Sequence, residues 1–212
     1  RKMIFGRGGL KLDGNLIAID FGKVVLPQHV GHHLCGQFFP DVGSRFGIAG
    51  IVQQYKGPRP KVMIDRAGGY DDECCMSFGN ENFGKMVEMA GGENIAKNAI
   101  PGTFGTLNPE FIISARPDVV IVTGANWKNY NTVNKWVGVG PGADTAEATR
   151  RLAALMQRSA FKTLPVATDG NAHAIWHQFY DSPYQFVAIQ AIAKWLHPDL
   201  FKDIDPDAPN TP

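Results

Sequence analysis

The sequence predicts an α/β layered fold, and three observations carry that expectation. From Pro60 onward, short apolar runs alternate with segments of helical spacing, the order that places helices over a mostly parallel sheet. Asp118–Thr123 (DVVIVT) is continuously apolar after its first residue, as a strand covered on both faces must be. The 212 residues are 44% hydrophobic and 10% aromatic, enough to build a core and too apolar for a chiefly disordered chain.

The elements follow in order. Residues 1 to about 60 are weakly patterned, with an apolar opening at Met3–Phe5 and short strand candidates at Leu16–Ile19 and Val24–Leu26. Ile48–Tyr55 reads as the end of a helix, closed by Gly57-Pro58,. Lys61–Asp65 (KVMID) is a buried strand that follows a proline and stops before Gly68-Gly69,. In Asn82–Ala90, Phe83, Met86, Val87 and Ala90 share one helical face, and Gly91-Gly92 ends it,. Asn108-Pro109-Glu110 opens another helix, with proline in the first turn and an acid beside the positive helix end,. After the Asp118–Thr123 strand, Thr145–Gln157 is an amphipathic helix with Thr145 as its expected N-cap,. Ala172–Ile175 is strand-like, and Tyr184–Leu196 is a long helix ended by His197-Pro198. The Pro- and Asp-rich end from Asp203 to Pro212 reads as a loose tail.

Composition excludes several functions. Lys plus Arg number 21 and Asp plus Glu 20, a net charge of +1, so no bulk field holds nucleic acid or an acidic membrane surface. No apolar run approaches the roughly 20 residues of a membrane-spanning helix. The opening residues do not form a signal-peptide pattern, which leaves a cytosolic protein or a processed exported one. Gly6-Arg7-Gly8-Gly9 lacks the strand before it and the Gly-Lys-Ser/Thr after it that a phosphate loop needs,. No G-x-S-x-G elbow occurs,. An enzyme is therefore poorly supported, and the expectation is a protein without catalytic residues or a cofactor.

Three cysteines form an odd set: Cys74 and Cys75 are adjacent, and Cys35 is distant. Adjacent cysteines rarely bridge, because the eight-membered ring forces an awkward peptide. One of the pair could instead join Cys35 in an oxidising compartment, or both could be small buried residues. His29, His32, His33 and Cys35 crowd into a short stretch, which raises a metal site or a metal-dependent enzyme as the alternative. That spacing matches no compact zinc pattern.

Aromatic and polar residues gather just after the strands. Arg66, Gly68, Gly69, Tyr70, Asp71 and Asp72 follow the first, Gly124, Asn126 and Trp127 the second, and Trp176, His177, Gln178 and Tyr180 the third. Ligands of open α/β sheets bind where such loops converge. Rings with hydrogen-bonding tips suit a large, partly apolar ligand.

From Pro60 to about Pro206 the chain resembles the periplasmic substrate-binding proteins of iron–siderophore ABC transporters. The resemblance rests on three segments. The first holds Asp72-Glu73-Cys74-Cys75, Asn82-Phe83-Gly84 and Ala90-Gly91-Gly92-Glu93-Asn94-Ile95. The second holds Leu107-Asn108-Pro109-Glu110 and Ala115-Arg116-Pro117-Asp118-Val119-Val120-Ile121, and the third Trp176-His177-Gln178-Phe179-Tyr180 with Ser182-Pro183-Tyr184.

The resemblance implies three-layer, Rossmann-like lobes of a bilobal binding protein of the helical-backbone class. Residues 1–44 would be a remnant of the first lobe, 45–59 the end of the connecting helix, 60–206 the C-terminal lobe and 207–212 a tail. The implied function is capture of a ferric siderophore in the periplasm and delivery to an inner-membrane ABC permease, by a monomer. Cobalamin, haem or a bare metal ion are the alternative ligands. Glu110 resembles the acid that docks a lobe onto the permease. Arg66, Tyr70, Trp127, Trp176, His177 and Tyr180 fall where the family's second lobe faces its ligand. An arginine there suits an anionic chelate.

Overall fold

A strand buried on both faces needs a helical layer above and below it, and the structure supplies both. It is a computed structural model that describes residues 45–71, 74–130 and 135–202, with the backbone of a two-residue strand at Leu16–Ile17. In chain order the elements are β1 (Leu16–Ile17), α1 (Arg45–Gln54), β2 (Lys61–Asp65), β3 (Met76–Phe78), α2 (Phe83–Met89) and β4 (Glu93–Asn94). There follow β5 (Phe104–Thr106), α3 (Pro109–Ala115), β6 (Val119–Gly124), α4 (Thr145–Leu155), β7 (Ala172–Trp176) and α5 (Gln185–Leu196). A 3₁₀ turn at His177–Asp181 continues directly from β7.

β1, β7, β6, β2 and β4 form one parallel sheet in that order. Val62 to Asp65 pair with Val119 to Val122, and Val120 to Gly124 pair with Ala172 to Trp176. Side chains alternate across this sheet. Met63, Val120, Val122, Ala172 and Ala174 face Leu152 and Leu155 of α4 and Phe161 beyond it. Val62, Ile64, Val119, Ile121 and Ile175 face Ile48, Phe83, Val87, Ile192 and Leu196 from α1, α2 and α5. Each large aliphatic side chain so buried contributes roughly 1.5–3 kcal/mol. The three-layer α/β architecture expected from the sequence is the one observed.

Several local readings need correction. α4 is capped by Asp144, whose carboxylate accepts from Glu147 N–H at 3.1 Å, and not by Thr145, which is its first helical residue. A second, antiparallel pair joins β3 and β5, strands too short for a sequence pattern to reveal. Val24–Leu26 lies outside the described residues, as do His29, His32, His33, Cys35 and the tail. At α3 the reading holds: Asn108 accepts from Glu110 N–H at 2.8 Å, with Pro109 in the first turn.

The amino end of the sheet is closed by reciprocal hydrogen bonds. Asp118 N–H donates to the Lys61 carbonyl and Lys61 N–H to the Asp118 carboxylate, both at 2.8 Å. Arg59 reaches the carbonyls of Glu88 and Gly91 at 2.7 and 3.3 Å. Glu88 in turn pairs with Lys97 at 3.1 Å. Buried His197 donates from Nε2 to the Gly91 carbonyl at 3.2 Å.

Candidate ligand-binding site

From β2 the chain moves to β4 on one side of the sheet and later to β6 on the other. The crossovers therefore diverge between β2 and β6, and a crevice opens at the carboxyl ends of those strands. Asp65 ends β2 inside this region and is only 2% exposed. Burial pushes its carboxyl up to about 6, against the pull of the Arg158 guanidinium 3.5 Å away.

Arg66 is held by one neighbour in two ways. Its N–H donates to the Met76 carbonyl at 2.8 Å, and Nη1 donates to Met76 Sδ at 2.7 Å. The guanidinium lies 4.3 Å from the Phe104 ring centre and 5.8 Å from that of Phe78. Its buried Nε has no hydrogen-bond partner among the described residues. Ala67 then turns the chain in the left-handed region, φ 52°, which costs a residue with a Cβ roughly 1–2 kcal/mol. A hydrogen bond of 2.9 Å from Ala67 N–H to Thr123 Oγ1 holds that turn. Gly69, at φ 83°, passes so close to the Lys135 carbonyl that a Cβ would collide with it.

Beside this loop lies a cavity of about 350 Å³, lined by Asp65, Arg66, Gly68, Asp71, Cys74, Cys75, Met76, Thr106 and Arg158 among others. Cys74 and Cys75 are joined in a disulfide, the pairing the ring argument disfavoured. Cys75 is fully buried in the core, and its carbonyl accepts from Leu107 N–H at 2.9 Å.

A wall of rings stands beside the cavity. Tyr70 meets Trp127 edge-on at 5.1 Å, Trp127 meets His177 at 5.6 Å, and His177 meets Tyr180 at 5.1 Å. Phe78 lies 6.2 Å from His177 and 6.4 Å from Tyr180, which ties the wall to the Arg66 guanidinium. Trp136 backs Trp127 at 6.0 Å and is fixed by Arg151, whose Nη1 donates to its carbonyl at 2.8 Å. His177 is buried behind the wall with Nδ1 2.9 Å from Thr123 Oγ1. Burial first, and the Arg66 charge second, bring its pKa down to about 4, so the ring is neutral near pH 7.

The structure thus gathers Arg66, Tyr70, Trp127, His177 and Tyr180. Trp176 stands at the same strand end, packs edge-on against Phe179 at 5.4 Å and touches both cores. Gly140 lies against its indole. Glu110 is exposed in the first turn of α3, outside the crevice, and Phe111 and Ile113 beside it are 39% and 37% exposed. Asp72 falls outside the described residues. Asp65, Phe78, Phe104, Thr123 and Arg158 belong to the site and were not marked by sequence. Only Asp65 carried a signal, as an acid closing an apolar strand.

Among the described residues no cluster of His, Cys, Asp and Glu could hold a metal ion, and no helix is long and apolar enough to cross a membrane. No family model matches the sequence, and no curated protein matches it. Solved structures do. A TroA-like periplasmic binding protein, FepB from Veillonella parvula, aligns over 77% of this chain with 24% identity and a TM-score of 0.71. The chain has the TroA-like fold. The periplasmic haem-binding protein RhuT from Roseiflexus sp. RS-1 shares this fold at 18% identity over 74% of the chain, TM-score 0.54. An Fe³⁺-hydroxamate transport protein from Saccharomonospora viridis does so at 13% identity over 72%, TM-score 0.50. The chain spans 46%, 52% and 45% of these proteins, about half their length. All three are binding or transport proteins.

Proposed function

We propose that this chain is a substrate-binding protein that captures an anionic ferric siderophore in the periplasm and delivers it to an inner-membrane ABC permease. One observation carries the reading: the Arg66 guanidinium, with an unpartnered Nε, stands at the switch crevice between an open cavity and the Tyr70–Trp127–Tyr180 wall. A guanidinium in a partly dried crevice forms strong charge-assisted hydrogen bonds to the oxygens of an anionic chelate. The rings cover its apolar faces. His177 takes no charge near pH 7 and serves as a rigid backing for the wall. The structural neighbours, a haem-binding protein and an Fe³⁺-hydroxamate transport protein among them, support this ligand class. Exposed Glu110, flanked by Phe111 and Ile113, is the proposed permease contact.

Titration of tryptophan emission with a ferric tris-catecholate and a ferric hydroxamate tests the reading, with haem as the comparison ligand. Saturable quenching by one chelate with Kd on the order of 1 μM or tighter is expected. Trp127→Ala should weaken it about tenfold, the effect of losing one ring contact in a dry site. Trp176→Ala should weaken it less, because that indole packs mainly on Phe179. Saturation by haem alone would move the ligand class. No saturable response to any of them would end the proposal.

A further inference from the structure

We propose that Cys74–Cys75 is a reversible thiol–disulfide site in the cavity wall, reduced by a dithiol, and that its redox state sets the position of Arg66. Both cysteines line the 350 Å³ cavity that also holds Asp65, Arg66 and Arg158. Cys74 is half-buried and Cys75 fully buried, so the cavity gives a small thiol its approach to Cys74 Sγ. The next residue is Met76, which supplies both hydrogen bonds that orient Arg66. Cys75 itself is anchored on its other side by Leu107 N–H. The bridge therefore sits between an anchored backbone and the residue that aims the guanidinium. Opening it frees the two side chains from their ring and gives the Met76 segment torsional freedom.

The exchange balances as an ordinary two-electron reduction. A thiolate of the dithiol attacks Cys74 Sγ, the protein S–S bond breaks, and the electron pair leaves on Cys75 Sγ, which takes up a proton. The second thiol of the reductant attacks the mixed disulfide and expels Cys74 as a thiolate, which is protonated in turn. The protein ends as a dithiol and the reductant as a disulfide. The Arg66 and Arg158 guanidinium groups in the same cavity favour the departing thiolate, while Asp65 is already paired with Arg158.

The consequence for ligand affinity rests on the function proposed above; the exchange itself does not. Folded protein is alkylated with iodoacetamide before and after dithiothreitol, and peptide mapping follows Cys74 and Cys75. Cys74 should be unlabelled before reduction and labelled after it, while fully buried Cys75 stays protected until the protein is unfolded,. Hydrogen–deuterium exchange at the Arg66 amide, which is bonded to Met76, should accelerate about tenfold on reduction, and the affinity for a ferric tris-catecholate should fall about tenfold, the loss of one well-aimed charge-assisted bond. A Cys74→Ser/Cys75→Ser protein should exchange and bind like the reduced form, whatever the reductant. Labelling without reductant, resistance to dithiothreitol in the folded state, or unchanged Arg66 exchange would each overturn the site. Equal chelate affinity in both forms would overturn its coupling to the ligand. Faster Arg66 exchange with no chelate binding in either form would leave the switch standing and remove the proposed function.

Discussion

The two ends of the parallel sheet are built on opposite principles. At the amino end, polar groups are paired with one another: Lys61 with Asp118, Glu88 with Arg59 and Lys97, His197 with Gly91. At the carboxyl end they are strained or left waiting. Ala67 is left-handed, Asp65 is a buried acid, and Arg66 Nε, Ser77 Oγ and Gln178 Oε1 are buried without a partner among the described residues. His173 Nδ1 is the exception, an unpartnered atom nearer the other end, where the ring stacks on Trp195 at 4.4 Å. Unmet hydrogen-bonding capacity costs stability, and among the described residues most of it lies at the carboxyl end.

The largest expected effect lies with the paired groups. Buried Asn94 donates from Nδ2 to the Phe78 and Gly79 carbonyls at 3.0 and 2.7 Å, and its Oδ1 accepts from Ala96 N–H at 3.1 Å. Asn94→Ala orphans all three groups and should cost about 4 kcal/mol in urea denaturation, at roughly 1–1.5 kcal/mol for each buried bond. A cost under about 1 kcal/mol would mean that these three bonds contribute little to stability.

Acid should come next. His173 and His177 are both held at about 4 by burial, below an ordinary 6.5. The unfolded chain therefore binds more protons than the folded one between pH 6.5 and 4, and stability falls as pH falls through that window. Each ring accounts for about 3 kcal/mol. Asp65 works the other way: raised from 3.8 to about 6, it binds its proton first in the folded state and adds stability as pH falls from 6 to 3.8. His197, also lowered by burial, adds to the histidine side, so the net is a loss of at least about 3 kcal/mol between pH 6.5 and 4,. Denaturation curves at pH 7 and pH 4 should show it, and His173→Phe, which keeps a ring on Trp195, should remove most of it. An unchanged slope in that variant would reject the assignment.

The smallest effect tests the strained end. Ala67→Gly relieves a left-handed Cβ but adds freedom to the unfolded chain, and these offset to a gain of up to about 1 kcal/mol. A clear loss in the same urea assay would mean that the turn is not strained.

How much of this was legible in the sequence follows from the range of the interactions. β2, β6 and β7 are readable because each is a local apolar run, and α3 because Asn108-Pro109-Glu110 is a local cap. The aromatic wall is readable by position, since rings that follow successive parallel strands converge on one edge. β3 and β5 are three residues each and owe their shape to one another. Asp65 and Arg158 are 93 residues apart, and nothing near either names its partner. Phe104 becomes part of the site only because the β3–β5 pair carries it under Arg66. The cap of α4 lies one residue before the expected Thr145, because Asp144 and Thr145 are both good caps and sequence cannot say whose side chain reaches the free N–H,.

The buried imidazole beside Trp127 also has an optical consequence. A protonated histidine quenches a neighbouring indole by accepting an electron from its excited state, whereas a neutral ring does so poorly. Because His177 stays neutral until about pH 4 and lies 5.6 Å from Trp127, quenching of that indole by His177 should set in only as the pH falls to about 4.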